Sequence, residues 1–394
     1  MKIATIVGAR PQFIKAAVVS RAIQAFHQRV SSSGQSGLRK RIQEILIHTG
    51  QHYDYLMNQI FFEELEIPKP NYHLGVGSSP HGKQTGMMLE RIEDILKKEK
   101  PALVMVYGDT NSTLAGALAA AKLDIPVAHV EAGLRSYNRM MPEEINRLLT
   151  DHLSTLLFCP TTQAIQNLIK EGIKEGKARV VKKVGDVMYD SVLYYSKLAE
   201  KKSNILKRLD FLTPNSCTER FQTVPCQTPN YYLVTLHRSE NTDDPKRLKS
   251  ILKALNKIGK DTPVILPLHP RTKKMMTTFR LFSKTQRIKI IAPVSYLDML
   301  TLERNAKAIL TDSGGVQKEA YWLGIPCLTF RNETEWGETI ESGWNVLVGT
   351  DVEKIVKEVD RLEQGRPIKK RIGIFGDGEA GRKIVLILVH HFLT

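Results

Sequence analysis

Cysteine is scarce. The 394 residues hold four, Cys159, Cys217, Cys226 and Cys327, and no two form a CxxC pair. That spacing argues against a zinc ribbon or a dithiol redox centre, so no metal is expected. Cys217 and Cys226 stand close enough to bridge within a loop, but two reduced thiols suit a chain without an export signal. Aromatic residues make up only 7%, and none interleave with the basic runs Arg39-Lys40-Arg41 and Lys369-Lys370-Arg371. Single-stranded nucleic acid grooves rely on such interleaving, so no nucleic acid partner is expected. Apolar runs long enough to span a bilayer are missing, and Arg10, Lys15 and Arg21 interrupt the apolar N-terminus, which has no small-residue cleavage site. A cytoplasmic chain without a membrane partner is the expectation.

What is present is length and positive charge. A chain of 394 residues exceeds what one core usually supports, so two domains are expected. With 57 Lys and Arg against 41 Asp and Glu, the net charge is +16. Most of it is scattered and solvated, but it favours an anionic ligand. Short β-rich runs alternate with helical periodicity through both halves, and no short repeat occurs. The runs at 3–7, 42–47, 102–107, 127–130, 155–159 and 180–184 predict one α/β domain over 1–190. A crossover helix and a linker with an insertion follow over 191–230. A second series, at 231–236, 263–266, 288–291, 306–310 and 325–330, predicts another over 231–375. The closing helix, within about 376–394, is expected to pack back on the first domain. Residues 28–41 read as a loop, 55–65 as a helix, and a helix of small residues is expected from Leu114. Such alternation defines an α/β fold of two Rossmann-like, doubly wound domains facing each other across a cleft.

The strand ends are polar, which is where open α/β sheets bind ligands. After the first strand, GARPQFIK places Arg10 and Lys15 at a tight glycine turn; by themselves they read equally as exposed surface. The second strand delivers His48-Thr-Gly-Gln51-His52. Asp109 follows Gly108, and Glu131 ends the fourth run after His129, so two carboxylates stand at neighbouring strand ends. Helix capping or a buried salt bridge is the competing reading for each. Glu143 and Glu144 open a helix, where dipole complementarity alone explains acids. In the second series, His237 and His269 end strands, and Thr311–Glu319 reads TDSGGVQKE. The amides of Ser313, Gly314 and Gly315 could cradle a phosphate at that helix start; a turn capped by Asp312 or Ser313 is the alternative.

Taken together, GARPQFIK, HTGQHYD, GDTNST, HVEAGLR, MPEEINR, TLHRSEN, LPLHPR and TDSGGVQKEA resemble the non-hydrolysing UDP-N-acetylglucosamine 2-epimerase family. They run in order through nearly the whole chain. The resemblance implies a glycosyltransferase-B-like build, no cofactor, a UDP-sugar substrate and a homodimer. It implies inversion at carbon 2 of a UDP-hexosamine by elimination and re-addition of UDP. Asp109, Glu131 and His237 are then the main catalytic candidates, with Glu143 and Lys15 next, and either Asp109 or Glu131 as the carbon-2 base. Arg10 is placed near uracil, Ser313, Gly314 and Gly315 on the diphosphate, and Glu319 on the ribose. His269 joins the substrate-binding set.

Three departures mark this chain. Met299 stands where many members stack an aromatic ring on uracil. Thr334-Glu335-Trp336-Gly337-Glu338 replaces a motif carrying Arg and Pro. Met87 or Met88 replaces an arginine that serves a second, allosteric substrate, for which Gln51 and His52 remain. The TEWGE wording and HGKQTGMML resemble the branch acting on UDP-2,3-diacetamido-2,3-dideoxyglucuronate, whose extra carboxylate calls for a cation such as Arg135, Arg139 or Arg331. UDP-N-acetylglucosamine is the main expectation, that uronate the alternative. A UDP-sugar glycosyltransferase is the more distant one.

Overall fold

In a computed structural model, residues 1–32, 41–51, 64–210, 230–365 and 373–393 are described. The chain divides into two compact units, 1–193 with 373–394 and 194–372.

In the first unit the order is β1 (Lys2–Val7), α1 (Arg10–Ser32), β2 (Gln43–His48), β3 (Tyr72–His73), α2 (His81–Glu99), β4 (Leu103–Tyr107), α3 (Asn111–Lys122) and β5 (Val127–Val130). It continues with α4 (Pro142–Leu153), β6 (Leu156–Cys159), α5 (Thr162–Lys170), β7 (Val180–Lys183) and α6 (Val187–Lys202), which crosses the division between the units. All seven strands are parallel, in the order β3-β2-β1-β4-β5-β6-β7. Helices cover such a sheet on both faces, so its central strands are apolar throughout. Leu103–Tyr107 is buried at every position.

The second unit holds α7 (Ile205–Arg208), β8 (Tyr232–Thr235), α8 (Ser239–Thr242), α9 (Pro245–Ile258), β9 (Val264–Pro267), α10 (Pro270–Thr278) and β10 (Ile288–Ile291). Then come α11 (Tyr296–Arg304), β11 (Ala308–Thr311), α12 (Gly314–Leu323), β12 (Cys327–Thr329), α13 (Gly337–Glu341), β13 (Asn345–Leu347) and α14 (Val352–Glu363). Its six parallel strands run β10-β9-β8-β11-β12-β13. The last helix, α15 (Ala380–Leu393), belongs to the first unit and packs on α1. Strand order reverses between β1 and β4 in one sheet and between β8 and β11 in the other. Beyond the carboxyl ends of those strands a crevice opens, and ligands of doubly wound sheets bind there.

Several expected boundaries move, for local reasons. Helix α1 runs to Ser32, past residue 28 where a loop was expected, because 28–32 hold neither Gly nor Pro; 33–40 lie outside the described residues. The Leu114 helix starts at Asn111, since Thr110 accepts from Thr113 N and Thr113 returns the bond in a capping box. Strands β3 and β13 are too short to show a period. The 55–65 helix lies largely, and Cys217 and Cys226 lie wholly, outside the described residues. Cys159 and Cys327 are buried thiols, and burial pushes Cys327 up to about 12. Among the described residues no helix is long and apolar enough to cross a membrane, and no group of three or more His, Cys, Asp or Glu could hold a metal.

Asp190 on α6 accepts from Gly381 N at 2.9 Å and so holds the start of α15. Its carboxyl is pushed up to about 6, chiefly by burial, with the Gly381 and Ala380 amides offsetting part of that. A folded pKa above the unfolded one contributes stability that is present below the unfolded value and lost as pH rises through about 6. The melting temperature is therefore expected to drop by a few degrees from about pH 5 to about pH 7.5 in wild type. Asp190→Asn should remove that part of the drop, measured by circular dichroism.

Candidate functional site

In the first unit the chain turns at Gly8 because nothing larger fits. A Cβ there would lie 2.1 Å from both Thr49 Oγ1 and Ser112 Oγ. The buried Gln12 side chain accepts from Gly8 N (2.8 Å) and Ala9 N (3.0 Å) and donates to the Tyr107 carbonyl and to Thr113 Oγ1 (both 2.9 Å). One amide thus ties the β1 turn to the β4 turn across the switch point. One turn further along α1, Lys15 forms an ion pair with Glu131, both side chains being about nine-tenths buried. Gly108 lies beneath that pair. A Cβ on it would sit 3.1 Å from Lys15 Nζ and 3.3 Å from Glu131 Oε2. Its φ of +65° also favours glycine. Glu131 itself has φ +77°, a conformation that a non-glycine residue keeps only when its surroundings impose it.

Asp109, next to Gly108, does not cap α3; Thr110 does. Its carboxylate pairs with Arg147 on α4, and Asn146 Nδ2 donates to its carbonyl at 3.0 Å. Helix α4 turns polar residues inward. Glu144, Asn146, Arg147, Thr150 and Asp151 are buried, while Ile145 and Leu149 are exposed. Glu144 accepts from Ser136 N, Ser136 Oγ and Tyr137 N, whereas Glu143 is exposed. Asp151, fully buried, accepts from His129 Nδ1 (2.6 Å), Gly133 N (3.1 Å) and Arg135 Nη1 (2.7 Å). Burial alone would raise the Asp151 carboxyl; His129 and Arg135 outweigh it and hold it below the usual carboxylate range. Arg135 also grips Glu171 through two bonds, at 2.8 and 2.6 Å. Its donors are therefore engaged within the fold, which accounts for this arginine as a salt-bridge residue.

Gln51 accepts from Ser112 N (3.2 Å) and Ser112 Oγ (2.6 Å); His52 lies outside the described residues. Met88 is in the apolar core and Met87 packs against it. Arg10 is exposed at the first position of α1.

In the second unit, a buried carboxylate again joins two strand ends. Asp312, after β11, accepts from His237 N (3.1 Å), Arg238 N (3.0 Å) and Asn241 Nδ2 (3.3 Å), so the β8 turn is fastened beside Ser313. His237 Nδ1 lies 3.5 Å from the same carboxylate. Burial lowers the His237 pKa below the ordinary histidine value; Asp312 opposes this and Arg238 adds to it. Ser313 caps α12 through Val316 N, and Gly315 is exposed. This serine cap is compatible with an anion cradle, because Gly314 N and Gly315 N lie outside the cap's hydrogen bond.

Glu319, one turn beyond the cradle and buried, accepts from Tyr296 Oη at 3.2 Å. Met299 packs against the cluster containing Leu233 and Ile309. The His269 side chain caps α10 through Arg271 N at 3.2 Å, and its ring centroid lies 5.4 Å from that of His237. In the TEWGE segment, Glu335 pairs with Arg331 (2.8 Å) and Arg238 (3.7 Å). Trp336, in the place of the usual arginine, covers Lys318, whose Nζ is 3.9 Å from a ring centroid. Glu335 and Trp336 crowd Gly314, where a Cβ would fall 2.3 Å from Glu335 Oε1 and 3.3 Å from Trp336 Nε1. Sequence reasoning missed Gln12, Asn146, Arg147 and Asp151. Only the polar residues within the apolar period of α4 hinted at the last three.

Two parallel doubly wound sheets, with a serine-capped glycine helix start at one switch point and carboxylates paired with cations at the other, define a Rossmann-type protein of the glycosyltransferase-B-like class. Residues 37–389 match the family model described as UDP-N-acetylglucosamine 2-epimerase, and the chain belongs to that family. It is 52% identical over 392 residues to a UDP-N-acetylglucosamine 2-epimerase homolog of Methanococcus maripaludis, covering 98% of this chain and 99% of that one. It is 49% identical over 385 residues to the UDP-2,3-diacetamido-2,3-dideoxy-D-glucuronate 2-epimerase of Pseudomonas aeruginosa, covering 98% of each. The crystal structure of Methanocaldococcus jannaschii UDP-GlcNAc 2-epimerase in complex with UDP-GlcNAc and UDP matches with a TM-score of 0.83 at 46% identity, over 99% of this chain and 100% of that one.

Breaking one partner out of a buried ion network costs about 3–5 kcal/mol. Arg135→Ala should destabilise the chain by roughly that amount in urea unfolding and leave the KM of the remaining folded enzyme within about twofold, since the lost partners are Asp151 and Glu171.

Proposed function

We propose that the chain catalyses the reversible inversion of UDP-N-acetylglucosamine at carbon 2, giving UDP-N-acetylmannosamine. The observation that carries this reading is the gathering of Lys15 and Glu131 over Gly108, directly beside Asp109. In the elimination a carboxylate takes the carbon-2 proton, the bond from carbon 1 to the diphosphate oxygen breaks with its electron pair going to UDP, and a carbon 1–carbon 2 double bond forms. Protonation of carbon 2 from the opposite face and attack of the same oxygen on carbon 1 complete the inversion. Asp109 and Glu131 are the candidates for the base, the first paired with Arg147 and the second with Lys15. Lys15 offsets developing charge, and Glu143, exposed at the start of α4, is the remaining acid for the second face.

UDP is assigned to the second unit. The amides at Gly314 and Gly315 face the diphosphate, the expected Ser313 amide being already bonded to Thr311 Oγ1 at 2.9 Å; Glu319 takes the ribose hydroxyls, and His237, fastened to Asp312, assists phosphate departure or polarises the sugar. Arg10, His269 and Met299 complete the nucleotide contacts, and Gln51 is the candidate contact for a second, activating substrate molecule. The uronate is the second reading, favoured by the 49% identical relative. Against it, Arg135 is held by Asp151 and Glu171 and cannot greet a second carboxylate without leaving them. A homodimer is also proposed. Tyr137, Met140, Ile145 and Leu149 expose apolar side chains close together in sequence, and such patches mark interaction surfaces.

Asp109→Asn and Glu131→Gln are each expected to lower kcat for UDP-N-acetylmannosamine formation at least a hundredfold, while UDP affinity by calorimetry stays within about threefold. Glu319→Gln should do the reverse and weaken UDP about tenfold or more. Wild-type kcat in both carboxylate variants would sink the assignment. A higher kcat/KM for the diacetamidouronate than for UDP-N-acetylglucosamine would move the chain to the second reading. Light scattering should give twice the chain mass, and Ile145→Glu with Leu149→Glu the single mass.

A further inference from the structure

The residues beneath the two candidate carboxylates carry a role of their own. His129, on β5, is fully buried, and both its ring nitrogens face acceptors: Nδ1 the Asp151 carboxylate at 2.6 Å, Nε2 the Gly108 carbonyl at 2.8 Å. Gly108 immediately precedes Asp109. The other oxygen of Asp151 accepts from Gly133 N at 3.1 Å, two residues after Glu131. His129 lies two residues before it. One carboxylate therefore clamps the chain on both sides of Glu131 and, through His129, the residue before Asp109. Gly108 and Glu131 have left-handed backbones, with φ of +65° and +77°; glycine adopts this freely, whereas Glu131 keeps it only where its surroundings impose it. No apolar packing could replace this, since the clamped groups are a carbonyl and an amide that need partners when buried.

We propose that His129 and Asp151 form a positioning pair that sets Asp109 and Glu131 relative to each other. They act on carbon-2 chemistry without touching the substrate. The inference rests on the reading that these two carboxylates perform that chemistry. Displacing a reacting group by about 1 Å costs on the order of a hundredfold in rate, so kcat should respond while UDP binding in the second unit does not.

His129→Asn keeps a polar group toward Asp151 but falls short of the Gly108 carbonyl, whereas His129→Gln reaches that carbonyl with an N–H and gives up Asp151. The expected result is a kcat about thirtyfold or more below wild type for His129→Asn. KM and UDP affinity should stay within about twofold, and His129→Gln should recover to within about fivefold of wild-type kcat. Wild-type kcat in His129→Asn overturns the proposal. So does a His129→Gln no better than His129→Asn when both have lost melting temperature in parallel, because that pattern marks a purely structural histidine. If His129→Asn does not accumulate as folded protein, Asp151→Asn takes its place with the same expected kcat loss at unchanged KM, and wild-type kcat there overturns the proposal equally. Absence of epimer formation by the wild-type chain would overturn the epimerase reading and this inference with it. Activity in wild type with unaffected variants overturns the inference alone.

Discussion

The arrangement of the first unit depends on one buried negative charge. Asp151 sits on a helix that turns its polar face inward, and it meets an imidazole, a backbone amide and a guanidinium at once. An isolated buried carboxylate would be prohibitively costly, and one left with too few partners would protonate. With three partners it stays ionised and fixes two glycine turns, one under each candidate carboxylate. Helix α4 accepts exposed Ile145 and Leu149 as the consequence of this orientation. Its burial pattern is thus that of an organising helix, with apolar residues left outside.

Asp312 repeats the device in the second unit with different partners. It holds two backbone amides and an asparagine, so the turn carrying His237 lies against the turn carrying Ser313. Both carboxylates lie where two strand ends must be joined across a doubly wound sheet. In each case the candidate site residues extend from a backbone that a buried acid has already fixed. Preorganisation of this kind is what an elimination through a poorly acidic carbon-hydrogen bond requires, because base and leaving-group contacts have to act on one bound geometry.

Much of this was legible in the sequence, and the rest was not for identifiable reasons. The polar endings GDTNST, HVEAGLR and TDSGG follow apolar strands, so their positions at the sheet edge could be read from periodicity. Asp109 as a salt-bridge partner instead of a cap could not be separated in advance, because Asp is the better N-cap than Thr on preference alone and only the three-dimensional reach of Arg147 decides. The long-range ties of Gln12, Asn146 and Asp151 carry no local signature, since they reach groups 95, 37 and 22 residues away in sequence. The reading of the Glu143 and Glu144 pair as dipole complements described one residue of the two. Glu144 instead closes the Ser136–Tyr137 turn, which no helix-start rule foretells.

The central claim is that carbon 2 loses and regains its proton within this site. The most direct measurement is proton NMR of UDP-N-acetylglucosamine with the wild-type chain in deuterated water. The account predicts that the carbon-2 proton signal disappears from both epimers as they equilibrate, with deuterium in its place. Epimers that form while keeping their original proton at carbon 2, or a substrate that neither exchanges nor epimerises, would contradict it.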